Sequence, residues 1–269
     1  MNPVLQDFLF DLQRLRRMFD LSKQIGSFPA LKINQEAITD SFLRDAVTSF
    51  HTLAGESHSD VPILNGVLLL YLAGRFENFV REVFEDLCDS LAGQFSDFTH
   101  LPKQMRENLV RFTAEVIGNP RKYGHADNGV IAFVKTLSDN LGGEPLSGVN
   151  SKCLSITTEN MWPDTVNEIF VRIGGSGIWE RIGHQARIQR YYEVDQHEKA
   201  TREAKKDLRE LMEMRNKIAH PSSGITWPST EQALQYVEYC ETVATAVSEI
   251  CDLWSTTLGT RQHQAQPNA

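Results

Sequence analysis

The sequence predicts an all-α protein, a helical bundle, on three observations. Apolar residues recur at three- and four-residue steps through most of the chain. Strong stops, Pro29 and Gly118-Asn119-Pro120, punctuate those stretches. No run of residues reads as a series of strands, and no internal repeat is present.

The elements follow in order. Leu5, Phe8, Leu9, Leu12, Leu15 and Phe19 make one apolar stripe, closed by Pro29. Phe42, Leu43, Val47 and Phe50 make a second. Pro62 to Leu91 is the most apolar long helix. Its Leu64, Leu68, Tyr71, Leu72, Phe76, Val80, Val83, Phe84 and Leu87 fall on one broad face, which places it at the centre of a bundle. Pro102 suits the first turn of the next helix, and a further helix spans about 128 to 141. Periodicity fails from Gly142 to Met161, where glycine, serine, threonine and proline are frequent, so a long loop is expected there. Asp164 to Val171 reads as a short helix. The cluster Gly174-Gly175-Ser176-Gly177 lacks the lysine of a phosphate loop and reads as a turn. One or two short helices are expected over 179–192. Two strong helices close the chain, about 195–219 and 229–258, and the short link between them makes them antiparallel neighbours.

Composition narrows the function classes. The chain of 269 residues is 41% hydrophobic and 23% charged, as in an ordinary globular protein. Its longest greasy stretch, Val67 to Ala73, falls short of the roughly 20 residues that span a bilayer. Asp7 and Asp11 precede any basic residue, unlike a secretory signal. A cytoplasmic protein with no membrane partner is expected. Cys88, Cys153, Cys240 and Cys251 are scattered, so buried free thiols are expected and a structural zinc site is not. No metal or other cofactor is expected. The net charge of −8 is not that of a nucleic-acid coat protein. Yet Arg181 to Lys217 holds ten Lys/Arg against seven Asp/Glu. This local excess suits either electrostatic steering of RNA or a solvated helix of mixed charge.

The candidate chemistry lies at Arg215-Asn216-Lys217-Ile218-Ala219-His220. An arginine and a histidine at this spacing are a weak signal alone; Arg44–His51 and Arg190–His197 have similar spacing, and Arg44–His51 is read as coincidence. Context lends weight at Arg215. Residues five apart on a regular helix point about 140° away from each other. His220, however, precedes Pro221, which pushes it out of α conformation and lets its side chain swing back. Asn216 lies one turn before His220 and can reach it. Histidine gives and takes protons near neutral pH, and the arginine fork suits a phosphate. No acidic residue stands three or four positions from Arg215 to hold it in an ion pair along the helix.

These residues resemble the R-N-x-x-x-H signature of the HEPN superfamily. The segment Tyr71-Leu72-Ala73-Gly74-Arg75-Phe76-Glu77-Asn78-Phe79 resembles the first-helix pattern of its RiboL-PSP branch, also called MAE-type. The resemblance covers roughly residues 60 to 255. It implies an HEPN-like helical domain over 59–258, within which the irregular stretch at about 142–162 is an insertion; the N-terminal helices over 1–58 are not placed by the resemblance, and the polar stretch 259–269 reads as a disordered tail. The resemblance implies a homodimer in which two motifs face each other, and metal-independent endoribonuclease action on RNA leaving a 2′,3′-cyclic phosphate. Arg215, His220 and Asn216 are then the catalytic candidates. Glu77 is a supporting residue that orients Arg215 or His220, or else a buried ion-pair partner. Lys217, Arg187 and Arg190 are candidates for RNA contact, against the plainer reading of solvated surface; His184 is weighed with them. A toxin or antiphage defence effector, with an antitoxin or defence-system partner protein, fits this reading. HEPN partners of minimal nucleotidyltransferases carry a tyrosine two positions after the histidine; Ser222 stands there in this chain, which disfavours that type. Two other classes remain open: a non-catalytic HEPN module that binds RNA or a partner protein, and a helical scaffold with no nucleic-acid role.

Overall fold

The computed structural model describes residues 2–124, 127–222 and 224–264. Among them are eleven α-helices and no strand. In chain order these are α1 (Pro3–Ser27), α2 (Ser41–Glu56), α3 (Val61–Ala92), α4 (Lys103–Gly118), α5 (Asp127–Gly142), α6 (Ser151–Leu154), α7 (Pro163–Val171), α8 (Ile178–His184), α9 (Ala186–Tyr191), α10 (His197–Ala219) and α11 (Thr230–Gln264). The expected all-α fold is therefore present, and α11 continues beyond Leu258. Of the tail expected after it, residues 265–269 lie outside the described residues.

Local chemistry sets the helix ends. Asn2 accepts from the Val4 N–H at 2.8 Å at the start of α1, and Asp40 accepts from the Leu43 N–H at 3.0 Å at the start of α2. Each satisfies a donor the helix itself cannot. Pro29 sits in a 3-10 turn, Phe28–Ala30, directly after α1. Pro120 follows the end of α4, and Pro163 opens α7.

Contacts divide the chain into two compact units. The first is Met1–Gln6, Phe76–Met212 and Thr242–Ala269; the second is Asp7–Arg75 and Glu213–Glu241.

In the first unit Phe79, Val83 and Phe84 of α3 are fully buried. Phe84 meets Phe170 of α7 edge-on at 5.5 Å, and Phe170 meets Trp254 of α11 at 5.4 Å. The indole of Trp179 is buried and donates to the Pro163 carbonyl at 2.7 Å. The irregular segment around the one-turn α6 is strapped to its surroundings by polar bonds. Ser151 donates to Asp89 at 3.2 Å, Ser155 donates to Glu85, and Arg81 donates to Thr157 at 2.8 Å. Arg172 donates to the carbonyls of Leu154 and Ile156 at 2.5 and 2.8 Å. Burial outweighs the serine bonds and raises both Glu85 and Asp89 above the ordinary carboxylate range.

The second unit buries Phe8, Leu12, Leu15 and Phe19 of α1, Leu69 and Leu72 of α3, Ile218 of α10, and Ala233, Val237 and Cys240 of α11. Two expectations are corrected here. Leu64 and Tyr71 of α3 are exposed, not on the buried face, whereas Leu72, Phe76, Val80, Val83, Phe84 and Leu87 are buried as expected. On α2 the apolar stripe points to solvent, and only Ala54 is buried.

The stretch His58–Ala92 is long and apolar enough to cross a membrane by length and composition, longer than the run visible in the sequence. Half of its apolar window is buried in the fold, as in a core helix. All four cysteines are free and buried, and burial pushes the Cys153 thiol up to about 11.

Candidate functional site

The R-N-x-x-x-H segment occupies the last turn of α10 and the residue after it, within the second unit. The helix ends at Ala219, and His220 before Pro221 is the first residue beyond it. Its backbone N–H still donates to the Asn216 carbonyl at 3.0 Å, so the last turn is closed before the chain turns away. The imidazole of His220 is exposed, and among the described residues no side-chain hydrogen bond engages it.

Arg215 and Asn216 are half-buried neighbours. The Arg215 guanidinium donates through Nη1 to Asn216 Oδ1 at 3.2 Å. Among the described residues Arg215 forms no ion pair within 4 Å, as the spacing of acids on α10 anticipates. A cation held by a neutral amide keeps its full charge for an anion brought from outside. The Oδ1 of Asn216 thus accepts from the arginine; the sequence suggested in addition a reach toward the histidine.

The frame behind this turn was not visible in the sequence pattern. Asn65 of α3 is fully buried, accepts from Ser22 of α1 at 2.8 Å, and donates to Thr230 at 3.0 Å and to the Pro228 carbonyl at 3.5 Å. These bonds fix the end of the loop that leaves His220. Gly66, next along α3, receives the Trp227 ring so closely that a Cβ there would lie 2.4 Å from it, with Ile218 Cδ1 at 3.7 Å. Only a residue without a side chain admits that approach. Ser229 then caps α11 by accepting from the Gln232 N–H at 3.1 Å. Both sides of His220 are therefore anchored, by Ile218 before it and by Trp227, Pro228 and Thr230 after it. A polar Asn inside an apolar helix and a Trp inside a polar loop were the available signals.

The other candidates are placed as follows. Lys217 is exposed on the outer side of the same turn. Glu77 is buried in α3, within the first unit. Arg187 and Arg190 are exposed on α9 of the first unit; Arg187 pairs with Glu249 at 2.9 Å, and Arg190 donates to the Ala186 carbonyl at 3.2 Å. His184 stacks on His197 at 3.8 Å. Arg44 is taken up by the Ile38 carbonyl and His51 lies against Phe28, so that pair serves local packing. A polar cavity of about 450 Å³ in the first unit, lined by Arg81, Glu82, Glu85, Lys122 and Lys152 among others, contains none of the motif residues. Among the described residues no group of three His, Cys, Asp or Glu is placed to hold a metal ion.

Comparison with curated proteins and with solved structures finds no match. The family model described as RiboL-PSP-HEPN matches residues 33–252, from before α2 to within α11. That match covers most of the chain and takes in both the α3 segment and the R-N-x-x-x-H turn, and the chain belongs to the RiboL-PSP-HEPN family.

Proposed function

We propose that this protein is an endoribonuclease that cleaves RNA by transesterification, at a site completed by two copies of the Arg215–His220 turn in a homodimer. The observation that carries this reading is the pairing of a half-buried arginine that forms no ion pair among the described residues with an exposed histidine at the end of the same helix.

The chemistry asks for three functions. A base removes the proton of the 2′-hydroxyl, whose oxygen attacks the adjacent phosphorus. An acid protonates the departing 5′-oxygen, leaving a 2′,3′-cyclic phosphate and a 5′-hydroxyl. A fixed cation stabilises the charge that builds on the phosphorane oxygens. One chain supplies a single histidine at this turn. A two-fold brings a second, so that one His220 acts as base and its symmetry mate as acid. Arg215 takes the phosphorane role, through the fork geometry that suits phosphate. Asn216 positions Arg215, and exposed Lys217 contacts the RNA backbone. No metal is needed for these steps. Glu77 keeps a supporting role for Arg215 or His220, tested by its effect on cleavage rather than on folding. Arg187 and Arg190 are the weaker RNA contacts. The setting proposed is the cytoplasm, as a toxin or antiphage defence effector restrained by an antitoxin or partner protein, because an unrestrained ribonuclease harms its host.

Purified protein incubated with total RNA in EDTA is expected to cleave it, and His220→Ala to lose about 100- to 10,000-fold in rate. Absence of cleavage, or equal cleavage by the variant, overturns the reading. RNA binding without cleavage would instead point to a non-catalytic HEPN module.

A further inference from the structure

The polar cavity of about 450 Å³ in the first unit, which contains none of the motif residues, is walled by both signs of charge. Its size is that of a small-molecule site. Arg81 of α3, Lys122 of the turn after α4 and Lys152 of α6 bring three cations to it. Among the described residues Arg81 and Lys152 form no ion pair within 4 Å. Arg81 donates instead to a neutral hydroxyl, Thr157 Oγ1, at 2.8 Å. Lys152 is exposed, and its charge reaches Glu85 and Asp89 at longer range. Lys122 lies 4.0 Å from Glu115. Two carboxylates share the wall: Glu82, which accepts from Asn78 at 2.8 Å, and Glu85, which accepts from Ser155. A cavity of about 380 Å³ adjoins the first, with Tyr123, Ile156 and Thr157 common to both. There the Arg172 guanidinium lies over the Phe112 ring at 4.1 Å.

We propose that these two adjoining cavities bind one nucleoside 5′-monophosphate, its phosphate on Arg81 and Lys152, its sugar hydroxyls on Glu82 and its base beside Phe112 and Tyr123. Each part of the ligand answers a part of the wall. Cations that no carboxylate has neutralised keep their charge for an anion brought from outside, and the arginine fork suits a phosphate. A carboxylate accepts from the hydroxyls of a ribose, which gives Glu82 a use beside the cations that a bare phosphate would not. A flat base stacks on aromatic rings and on guanidinium planes, and the adjoining cavity offers both. An RNA strand is the poorer fit. It carries a phosphate at every nucleotide, and Glu82, Glu85, Glu115 and Glu168 along these walls oppose all but the phosphate at Arg81 and Lys152.

The site stands on the cavity walls and does not depend on the ribonuclease reading. The test is calorimetric titration of the full chain with AMP, GMP, CMP and UMP in turn, each up to about 1 mM. At least one is expected to bind with a dissociation constant of about 100 µM or tighter, and its nucleoside, which lacks the phosphate, at least ~10-fold more weakly. Lys152 is exposed, so Lys152→Glu leaves the circular dichroism spectrum unchanged and raises the dissociation constant at least ~10-fold. Arg215→Ala binds the mononucleotide as the wild type does. Four results each overturn the inference: no binding by any of the four, equal binding by Lys152→Glu, loss of binding in Arg215→Ala, or inorganic phosphate binding as tightly as the mononucleotide. So does an RNA oligonucleotide that binds through Lys152 more tightly than the mononucleotide, measured on His220→Ala so that it is not cut. Cleavage of total RNA is read separately, so the two proposals fail independently.

Discussion

The second half of α3 and the whole of α2 carry the same kind of apolar helical pattern and meet opposite fates. From Phe76 to Leu91, Phe76, Phe79, Val80, Val83, Phe84, Leu87 and Leu91 are all buried, and Phe84 is packed on Phe170. On α2, Phe42, Leu43, Phe50 and Leu53 face water. Periodicity therefore identifies a face that has to be covered, but not what covers it. In the first unit the cover is the chain's own α7 and α11; on α2 the stripe stays in solvent.

The largest expected effect tests that contrast directly. Phe84→Ala removes a ring from a closed core and costs about 3–5 kcal/mol. Phe42→Ala removes one from solvent and stays within about 0.5 kcal/mol at concentrations where the chain is monomeric. Urea unfolding of both variants measures the difference. Equal losses would mean that α2 is covered within one chain after all.

A smaller effect probes burial of a different kind, where a missing side chain makes the contact. Gly66→Ala drives a methyl into the Trp227 ring and is expected to cost about 1–3 kcal/mol. It also displaces the loop that leaves His220, so RNA cleavage should fall beyond what the lost stability explains. A thermal midpoint equal to that of the wild type would show that Trp227 moves aside freely.

The smallest effect concerns charge at the edge of the buried half of α3. Burial raises Glu85, so the folded chain holds that proton to higher pH than the unfolded chain does. Its contribution favours folding at low pH, is lost as pH rises from the ordinary carboxylate range through the raised folded value, and remains a fixed cost above it. Glu85→Gln keeps an acceptor for the Ser155 hydroxyl and removes that cost. At pH 7 the variant is expected to gain less than about 1 kcal/mol, and at pH 4 to match the wild type more closely. A variant destabilised at pH 7 would show that the carboxylate is needed for its bond to Ser155.

The legible parts of the molecule were the local ones. Helix ends at Pro29 and Gly118-Asn119-Pro120 are written in residues adjacent to the break, and the turn at Arg215–His220 depends on Pro221 next to it. The absence of an acid three or four positions from Arg215 along α10 was equally readable. The supporting frame was not, because its bonds join residues far apart: Asn65 to Thr230 across 165 positions, Ser22 to Asn65 across 43. Nor was the bond from Arg215 to Asn216 Oδ1 legible, because reach along a helix points to residues one turn away and not to the next in sequence.

The sequence by itself determined that the chain is helical, where most helices begin and end, and which six residues carry the family's signature. Those properties follow from hydrogen bonds and apolar spacing within a few turns of chain. Only the tertiary structure decided which apolar faces are covered, why position 66 is a glycine and how the loop after His220 is held. Those depend on elements brought together from distant parts of the chain, and solvent exposure is a property of that assembly rather than of any one helix.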